Sequence, residues 1–132
     1  MTEATATLPV EQVIGQSGIA ASADGLRLDM RLPWYRSLPL STVRVESVAI
    51  DGAAIDLSDA LFELDGRRWP LAAIEDEVDS FWFVLDSAFL ILPGVNLASG
   101  ETHEVSLTIA LYPPYIPGMK RANTQTARLR VA

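Results

Sequence analysis

The sequence contains no cysteine, which excludes disulfide bonds, thiolate metal ligands and a cysteine nucleophile. Because small secreted domains often depend on disulfides, this absence favours a reducing, cytoplasmic location. Positive charge is also scarce, since ten lysine and arginine residues stand against seventeen aspartate and glutamate residues, for a formal net charge of -7. This balance disfavours nucleic acid and anionic membrane surfaces as partners, because both bind a concentrated cationic face.

Long hydrophobic runs are missing as well. The longest strongly apolar stretch, Phe81 to Val95, is interrupted by Asp86 and Pro93 and is too short to span a bilayer. Residues 1–8 carry an acidic side chain where a signal peptide would carry positive charge, and no apolar run follows them. We therefore expect a soluble protein without a targeting segment.

Hydrophobicity alternates with a period of two along most of the 132 residues. Leu26, Leu28 and Met30, for example, alternate with charged residues, as the inward row of a half-buried strand does. No segment predicts an amphipathic helix of three turns. The predicted strands are 26–32, 43–50, 61–64, 67–71, 82–85, 89–92, 105–111 and 127–131. This pattern predicts a single all-β domain, an antiparallel β-sandwich of about seven to nine strands over residues 9–132, after a disordered N-terminus at 1–8.

Turn signals separate these strands. The Asp-Gly pairs at 51–52 and 65–66 are typical of two-residue hairpin loops. Two consecutive polar residues at 46–47 interrupt the alternation of their strand and indicate a β-bulge. Gly118 to Thr126 is polar and is predicted to be a mobile loop.

Residues that carry chemistry are few. His103 is the only histidine, and its polar neighbours predict an exposed turn residue without a nucleophile elbow to complete a Ser-His-Asp triad. The acidic stretch Glu75–Asp79 lacks the glycine and terminal glutamate of a calcium loop, so we interpret it as a hydrated loop that protects the following strand from aggregation. The sequence therefore predicts no catalytic residue and no metal site in this chain, although a free-standing enzyme that uses both features stays an alternative.

A short loop between two prolines presents three large side chains in succession: Trp34, Tyr35 and Arg36. Proline restricts the backbone, so this loop should be stiff. Trp, Tyr and Arg are the residue types that dominate interface hot spots. The alternative is that Trp34 is buried beneath the sandwich as part of the core.

A second segment, residues 111–118, combines two tyrosines with prolines: Tyr112, Pro114 and Tyr115. Flat apolar rings with hydroxyl tips suit a protein or sugar surface. The alternative is that the prolines only protect a sheet edge from further pairing.

Four segments resemble, in the same order, the small β subunits of bacterial C-glycoside deglycosidases. They are LPWYRSLPLS at 32–41, the VRVESVAIDG that follows it, FWFVLD at 81–86 and LYPPYIPG at 111–118. The similarity extends over residues 25–131, and WYRSLPLS is its most specific part. The strand patterns alone would fit many sandwiches.

The resemblance implies a subunit of a carbon–carbon lyase complex. In that family a larger α subunit, a TIM barrel, binds a divalent metal, commonly manganese. It cleaves the bond between a 3-oxo sugar and an aromatic, flavonoid-like aglycone. The present chain would then carry no cofactor, be inactive alone, and stabilise the barrel and shape its pocket in an (αβ)n heteromer. Trp34, Tyr35 and Arg36 are the first choice for the contact with the partner or the substrate rim, and the segment at 112–115 is the second.

A stand-alone carbohydrate-binding module is the alternative from another class. Such modules are sandwiches of this size whose surface aromatics stack on sugar rings. The sequence offers no regular row of aromatic residues on one face, which weighs against this interpretation.

Overall fold

A computed structural model describes residues 12–132 of the chain, so the segment at 1–8 that we predict to be disordered lies outside the described residues. The described part forms eleven strands and two short 3-10 helices, Leu40–Thr42 and Leu71–Asp76. The strands are β1 (Ile14–Ser22), β2 (Gly25–Met30), β3 (Leu38–Pro39), β4 (Val43–Ile50), β5 (Ala53–Ala54), β6 (Leu61–Leu64), β7 (Arg67–Pro70), β8 (Phe81–Trp82), β9 (Ala88–Leu92), β10 (Thr102–Leu111) and β11 (Arg121–Arg130).

The strands form three antiparallel sheets. One sheet has the order β1-β2-β9-β6-β7, the second has the order β11-β10-β4-β5, and the third is the pair β3-β8. The predicted antiparallel β-sandwich is therefore confirmed. The strand count exceeds the prediction because β1, β3 and β5 were not predicted, and β3 and β5 are only two residues long.

The core lies between the two large sheets, where the inward rows of β2 and β10 are buried, including Leu28 and Leu107. Two aromatic rings close one side of this core: Phe62 and Trp82 are fully buried and meet edge to face, with centroids 5.6 Å apart. Each fully buried large apolar side chain stabilises the fold by about 1.5–3 kcal/mol. The buried rows are thus the main favourable contribution to the stability of this sandwich, which has no disulfides.

Both Asp-Gly pairs form the predicted two-residue hairpin loops. Asp51 and Gly52 have φ angles of 52° and 83°, and Asp65 and Gly66 have φ angles of 52° and 77°. Glycine adopts this left-handed region without strain and aspartate tolerates it, which explains the choice of residues. The first loop joins β4 to β5, and the second joins β6 to β7.

The predicted bulge is also present. Ser47 of β4 pairs with Thr108 of β10, whereas Val45 pairs with the next residue, Ile109, which leaves Glu46 as the extra residue. Such a bulge bends and twists the strand locally. It lets both halves of β4 keep their apolar side chains on the inward face.

The prediction of a mobile loop at 118–126 is wrong from residue 121 onward. Residues 121–126 are the first half of β11, which pairs with β10 over ten residues. The strand was missed because its inward row is polar as far as Gln125, so the sequence shows no alternation there. The amide oxygen of Gln125 accepts hydrogen bonds from the N–H groups of Val13 (3.1 Å) and Ile14 (2.9 Å), and these long-range contacts tie the polar row to the start of β1.

Strand β1 was missed for a similar reason. Its pairing with β2 is irregular between Ile14 and Ile19, and the buried carboxylate of Asp29 accepts a hydrogen bond from the N–H of Ser17 at 2.9 Å inside this irregularity. A Cβ atom at Gly15 would lie 2.3 Å from the Asp29 carboxyl carbon, so only glycine fits there. These tertiary contacts leave no period-two signal in the sequence.

The prediction of a strand at 82–85 is largely wrong. Only Phe81 and Trp82 belong to a strand, β8, where Trp82 pairs with Leu38. A turn follows, closed by a 2.9 Å hydrogen bond from the N–H of Asp86 to the carbonyl of Phe83. The continuous apolar run therefore leaves the core after Trp82 instead of staying buried.

Candidate functional site

The two aromatic loops predicted from separate parts of the sequence meet at one end of the sandwich, where β10 ends. The indole N–H of Trp34 donates a 2.5 Å hydrogen bond to the hydroxyl of Tyr115, which lies 81 positions later in the chain. The hydroxyl of Tyr115 also lies 3.4 Å from that of Tyr35. We call this surface the aromatic end. Its members are Trp34, Tyr35, Arg36, Tyr112, Pro114 and Tyr115.

Trp34 and Tyr35 divide two roles between them. Trp34 is only 6% exposed and packs into the core, so for this side chain the buried alternative is correct. Tyr35 is 60% exposed, and its ring lies 5.0 Å from that of Trp34 at an angle of 42°. The buried tryptophan thus supports the exposed tyrosine.

Arg36 and Tyr115 add a cation–π contact to this surface. The guanidinium of Arg36 lies 4.9 Å from the ring centroid of Tyr115, and both side chains are exposed. The hydrogen bond with Tyr115 raises the pKa of Tyr35 above its ordinary value of 10.0. Tyr35 therefore stays a neutral phenol near pH 7 and can form hydrogen bonds, but it is unsuited to act as a base.

Tyr112 lies beside the same surface between two cations, 5.7 Å from the guanidinium of Arg44 and 6.0 Å from the ammonium of Lys120. Its N–H donates to the carbonyl of Thr42 at 2.8 Å, which fixes the start of the loop. Pro114 is exposed next to it. The edge-protection alternative for this segment is wrong, because β10 lies between β11 and β4 and is not an edge strand.

Four further exposed apolar side chains lie at this end and were not predicted as site residues: Val78, Phe81, Phe83 and Leu85. The N–H of Val84 donates to the hydroxyl of Ser37 at 3.0 Å, so their segment adjoins the loop of Trp34. The signal in the sequence was a continuous apolar run without alternation, directly after an acidic stretch. Such a run predicts a strand, here at 82–85, rather than the exposed turn that the structure shows.

The exposed apolar side chains are therefore distributed unevenly. Within residues 12–132, all eight exposed large hydrophobic side chains lie in three segments that meet at the aromatic end. They are Tyr35, Val78, Phe81, Phe83, Leu85, Tyr112, Tyr115 and Ile116. Exposed hydrophobic residues scattered singly need no explanation, but their concentration at one end of a domain is typical of an interaction surface.

The opposite end of β10 has a different character. His103 is not the exposed turn residue that we predicted, because it belongs to β10 and its side chain is only 17% exposed. Its Nδ1 lies 2.5 Å from a carboxylate oxygen of Asp51, and its Nε2 lies 3.1 Å from one of Glu101. Asp51 makes the larger contribution to raising the pKa of His103 above its ordinary value of 6.5, and Glu101 adds to it. We call these three residues the histidine end.

This arrangement does not support a free-standing enzyme that combines His103 with the acidic stretch. Both ring nitrogens face carboxylates, whereas Glu75 pairs with Arg44 and Glu77 with Arg67 near the other end of the sandwich. Among the residues that the structure describes, no three histidine or carboxylate side chains come together as the ligands of a metal ion would. In the same part of the chain, no helix is long and apolar enough to cross a membrane.

Comparison with known proteins places the chain in a family. Residues 9–115 match the family model for the C-glycoside deglycosidase beta subunit. The chain is 41% identical over 107 residues to the 3'-dehydrocarminate deglycosidase beta subunit of a Microbacterium species, with 81% of this chain and 80% of the relative covered. It is 30% identical to a C-glycoside deglycosidase beta subunit of Microbacterium trichothecenolyticum, covering 80% of each chain, and 30% identical to one of Arthrobacter globiformis, covering 76% and 78%. The chain therefore belongs to the family of C-glycoside deglycosidase beta subunits.

Proposed function

We propose that this chain is the accessory, non-catalytic subunit of a heteromeric C-glycoside deglycosidase and that its aromatic end packs against a larger TIM-barrel subunit. The observation that carries the proposal is that, within residues 12–132, all eight exposed large apolar side chains lie at the aromatic end or in the segment that adjoins it. In this proposal the two subunits form an (αβ)n assembly in the cytoplasm. The family name of the chain, a beta subunit, supports the existence of a second subunit.

The rigidity of the aromatic end supports this role. The hydrogen bond from Trp34 to Tyr115 ties the two loops together, and Arg36 lies over the ring of Tyr115. Side chains that are already ordered lose little conformational entropy on binding, so more of their contact energy appears as affinity. Tyr, Trp and Arg are also the residues most enriched among interface hot spots.

We assign the chemistry to the larger subunit. The proposed reaction is cleavage of the carbon–carbon bond between a 3-oxo sugar and an aromatic, flavonoid-like aglycone. In a sugar that is already oxidised at C3 the proton on C2 is acidic. Removal of that proton forms a C1=C2 double bond as the bond from C1 to the aglycone breaks, and the aglycone carbon takes up a proton, which makes the enzyme a lyase. The name of the 41% identical relative specifies a 3'-dehydro substrate, which supports a substrate oxidised at this carbon.

The division of labour follows from what the described side chains can do. His103 is held between two carboxylates, and Tyr35 has a raised pKa, so neither is suited to take the C2 proton at neutral pH. Among the described residues, no group of three histidine or carboxylate side chains is arranged to hold a metal ion. We therefore assign the base and the divalent metal, manganese by resemblance, to the larger subunit, and we propose that the aromatic end borders its substrate pocket.

The proposal is tested by reconstitution. The larger subunit and this chain are purified separately, and release of aglycone from a 3-oxo-C-glycoside is followed by absorbance for each subunit and for the mixture. We expect no turnover by this chain alone and full activity only in the mixture. Equal activity of the larger subunit alone would contradict the supporting role, and turnover by this chain alone would contradict its non-catalytic character.

The alternative of a stand-alone carbohydrate-binding module finds less support. A sugar-stacking site needs an accessible ring face, and the guanidinium of Arg36 lies over the ring of Tyr115. The ring of Tyr35 packs at a tilt against Trp34. These contacts suit a surface completed by another protein better than a flat sugar platform.

A further inference from the structure

The turn after β8 displays apolar side chains that the fold itself does not use. Phe83 is 57% exposed and Leu85 is 80% exposed. Among the described residues, no other large apolar side chain is as exposed as Leu85. Burial of such side chains against a partner would favour association, because it removes apolar area from water. Exposure of both side chains in one turn is therefore unfavourable in water, and a partner that buries them would remove this unfavourable contribution.

This turn is held in place rather than left loose. The indole N–H of the fully buried Trp82 donates to the carbonyl of Asp86 at 2.8 Å, and the N–H of Asp86 donates to the carbonyl of Phe83 at 2.9 Å. The N–H of Val84 donates to the hydroxyl of Ser37 at 3.0 Å. We call residues 83–86 the apolar turn. Its backbone is fixed from the core side and from the loop of the aromatic end.

A shallow groove of about 260 Å³ lies beside the apolar turn and has an acidic border. Phe81 and Phe83 line it together with Asp65 and Asp79. Neither of these two aspartates forms an ion pair within the described residues, whereas Arg67, which also lines the groove, pairs with Glu77 at 3.8 Å. The border of the groove thus presents negative charge that a cationic surface would complement.

We infer that the apolar turn and its groove form the second half of the contact with the larger subunit, which would present an apolar pocket bordered by lysine or arginine. This inference rests on the proposed function and extends it from the six residues that define the aromatic end to the turn that adjoins them. Two observations favour the larger subunit over a second copy of this chain. The turn is continuous with the aromatic end through Ser37, and its acidic border would repel the same border of another copy, which also carries a net charge of -7.

The test compares matched variants in binding to the larger subunit. F83S/L85S removes both exposed apolar side chains, and the control A53S/A54S makes the same apolar-to-serine change on the exposed strand β5 at the other end. Affinity is measured by surface plasmon resonance after thermal melts show that each variant is folded. We expect F83S/L85S to weaken binding about tenfold or more and the control to change it less than about twofold.

The single variant L85S serves as a second probe, because its side chain is too exposed to be needed for folding. We expect it to weaken binding severalfold with an unchanged melting temperature. The charge variant D65N/D79N should slow association severalfold at low salt, and this difference should shrink at high salt.

The outcomes separate this inference from the proposed function. If the unmodified chain does not bind the larger subunit, the proposed function fails. If the unmodified chain binds and both F83S/L85S and L85S bind equally well, only the inference about the apolar turn is overturned. Sedimentation of the chain alone should show a monomer, and a dimer that F83S/L85S dissociates would overturn the inference in favour of a second copy.

Discussion

The two regions at opposite ends of β10 are only one strand length apart, yet they differ in almost every physical respect. At its last residue the strand runs into the aromatic end, where rings are displayed to solvent and buried groups hold them in place. At its first residues lies the histidine end, where His103 is enclosed by Asp51 and Glu101. The histidine end satisfies its polar groups internally, whereas the aromatic end leaves apolar area uncovered.

This difference distinguishes residues that stabilise the fold from residues that are available to bind a partner. An ion-paired cluster that satisfies its own groups needs nothing further. An ordered surface with several uncovered rings is unfavourable in the isolated chain, because water contacts apolar area that could be buried. Variants at the histidine end should therefore affect stability, and variants at the exposed part of the aromatic end should affect assembly.

The largest effect is expected from Trp34→Ala, because this substitution removes the buried side chain that supports the aromatic end. It deletes a buried indole and the hydrogen bond to Tyr115, so unfolding free energy should fall by about 3–5 kcal/mol. Trp34→Phe is the matched control, since it keeps most of the apolar volume and should lose about 1 kcal/mol. Urea unfolding measures both values, and a loss below about 1 kcal/mol for the alanine variant would show that Trp34 is not a structural support.

The next effect concerns assembly with the larger subunit. Tyr35→Ala removes an exposed ring and should change stability by less than about 1 kcal/mol, but it should weaken binding to the larger subunit roughly tenfold. Glu104→Ala is the control, because that exposed side chain lies on β10 beside His103. Titration calorimetry with the larger subunit checks both variants, and equal affinities for them would refute a special role of the aromatic end.

A smaller, pH-dependent effect is expected at the histidine end. The pKa of His103 is raised by Asp51 and Glu101, so the folded state binds its proton more tightly than the unfolded state does. The resulting stabilisation is fully present below the ordinary histidine pKa of about 6.5 and is lost as pH rises through the folded-state pKa. The pKa values of Asp51 and Glu101 are lowered, so their contribution is lost in acid, as pH falls through their folded-state pKa values.

His103→Gln should therefore flatten the decline in stability above about pH 6.5 and leave the affinity for the larger subunit unchanged. Melting temperatures between pH 5 and pH 9, compared with those of the unmodified chain, provide the measurement. An unchanged slope in the variant would show that His103 does not carry this pH dependence.

The smallest effect is expected for sugars. If the aromatic end is a protein contact, titration of the isolated chain with glucosides and C-glycosides should give no saturable heat. Saturable binding that Tyr35→Ala abolishes would instead favour the carbohydrate-binding module. The aromatic end would then be a sugar-binding surface and not a contact with another protein.

Much of the sandwich could be predicted from the sequence because its signals are local. Apolar and charged residues alternate strictly along the sequence of β2. The two Asp-Gly loops place their residues in the left-handed region, where these residue types are tolerated. The first half of β11 and all of β1 could not be predicted in this way. They are held in place by contacts between residues that are distant in the chain, such as the contact of Gln125 with Val13 and that of Asp29 with Ser17.

The candidate site was predictable in part, for a related reason. The residue types in the two proline-bounded loops indicated an interaction surface, but only the folded chain shows that Trp34 and Tyr115 join them into one. The exposed Phe83 and Leu85 were missed because an apolar run has the same appearance in sequence whether it enters the core or leaves it.

Whether the aromatic end is the surface that contacts the larger subunit is measured by hydrogen–deuterium exchange of the chain with and without that subunit. We expect slower amide exchange on binding at residues 34–37 and 115–116, at the aromatic end, and no change at 51–54 and 101–104, at the histidine end. Protection confined to the histidine end, with unchanged exchange at the aromatic end, would show that the contact lies elsewhere.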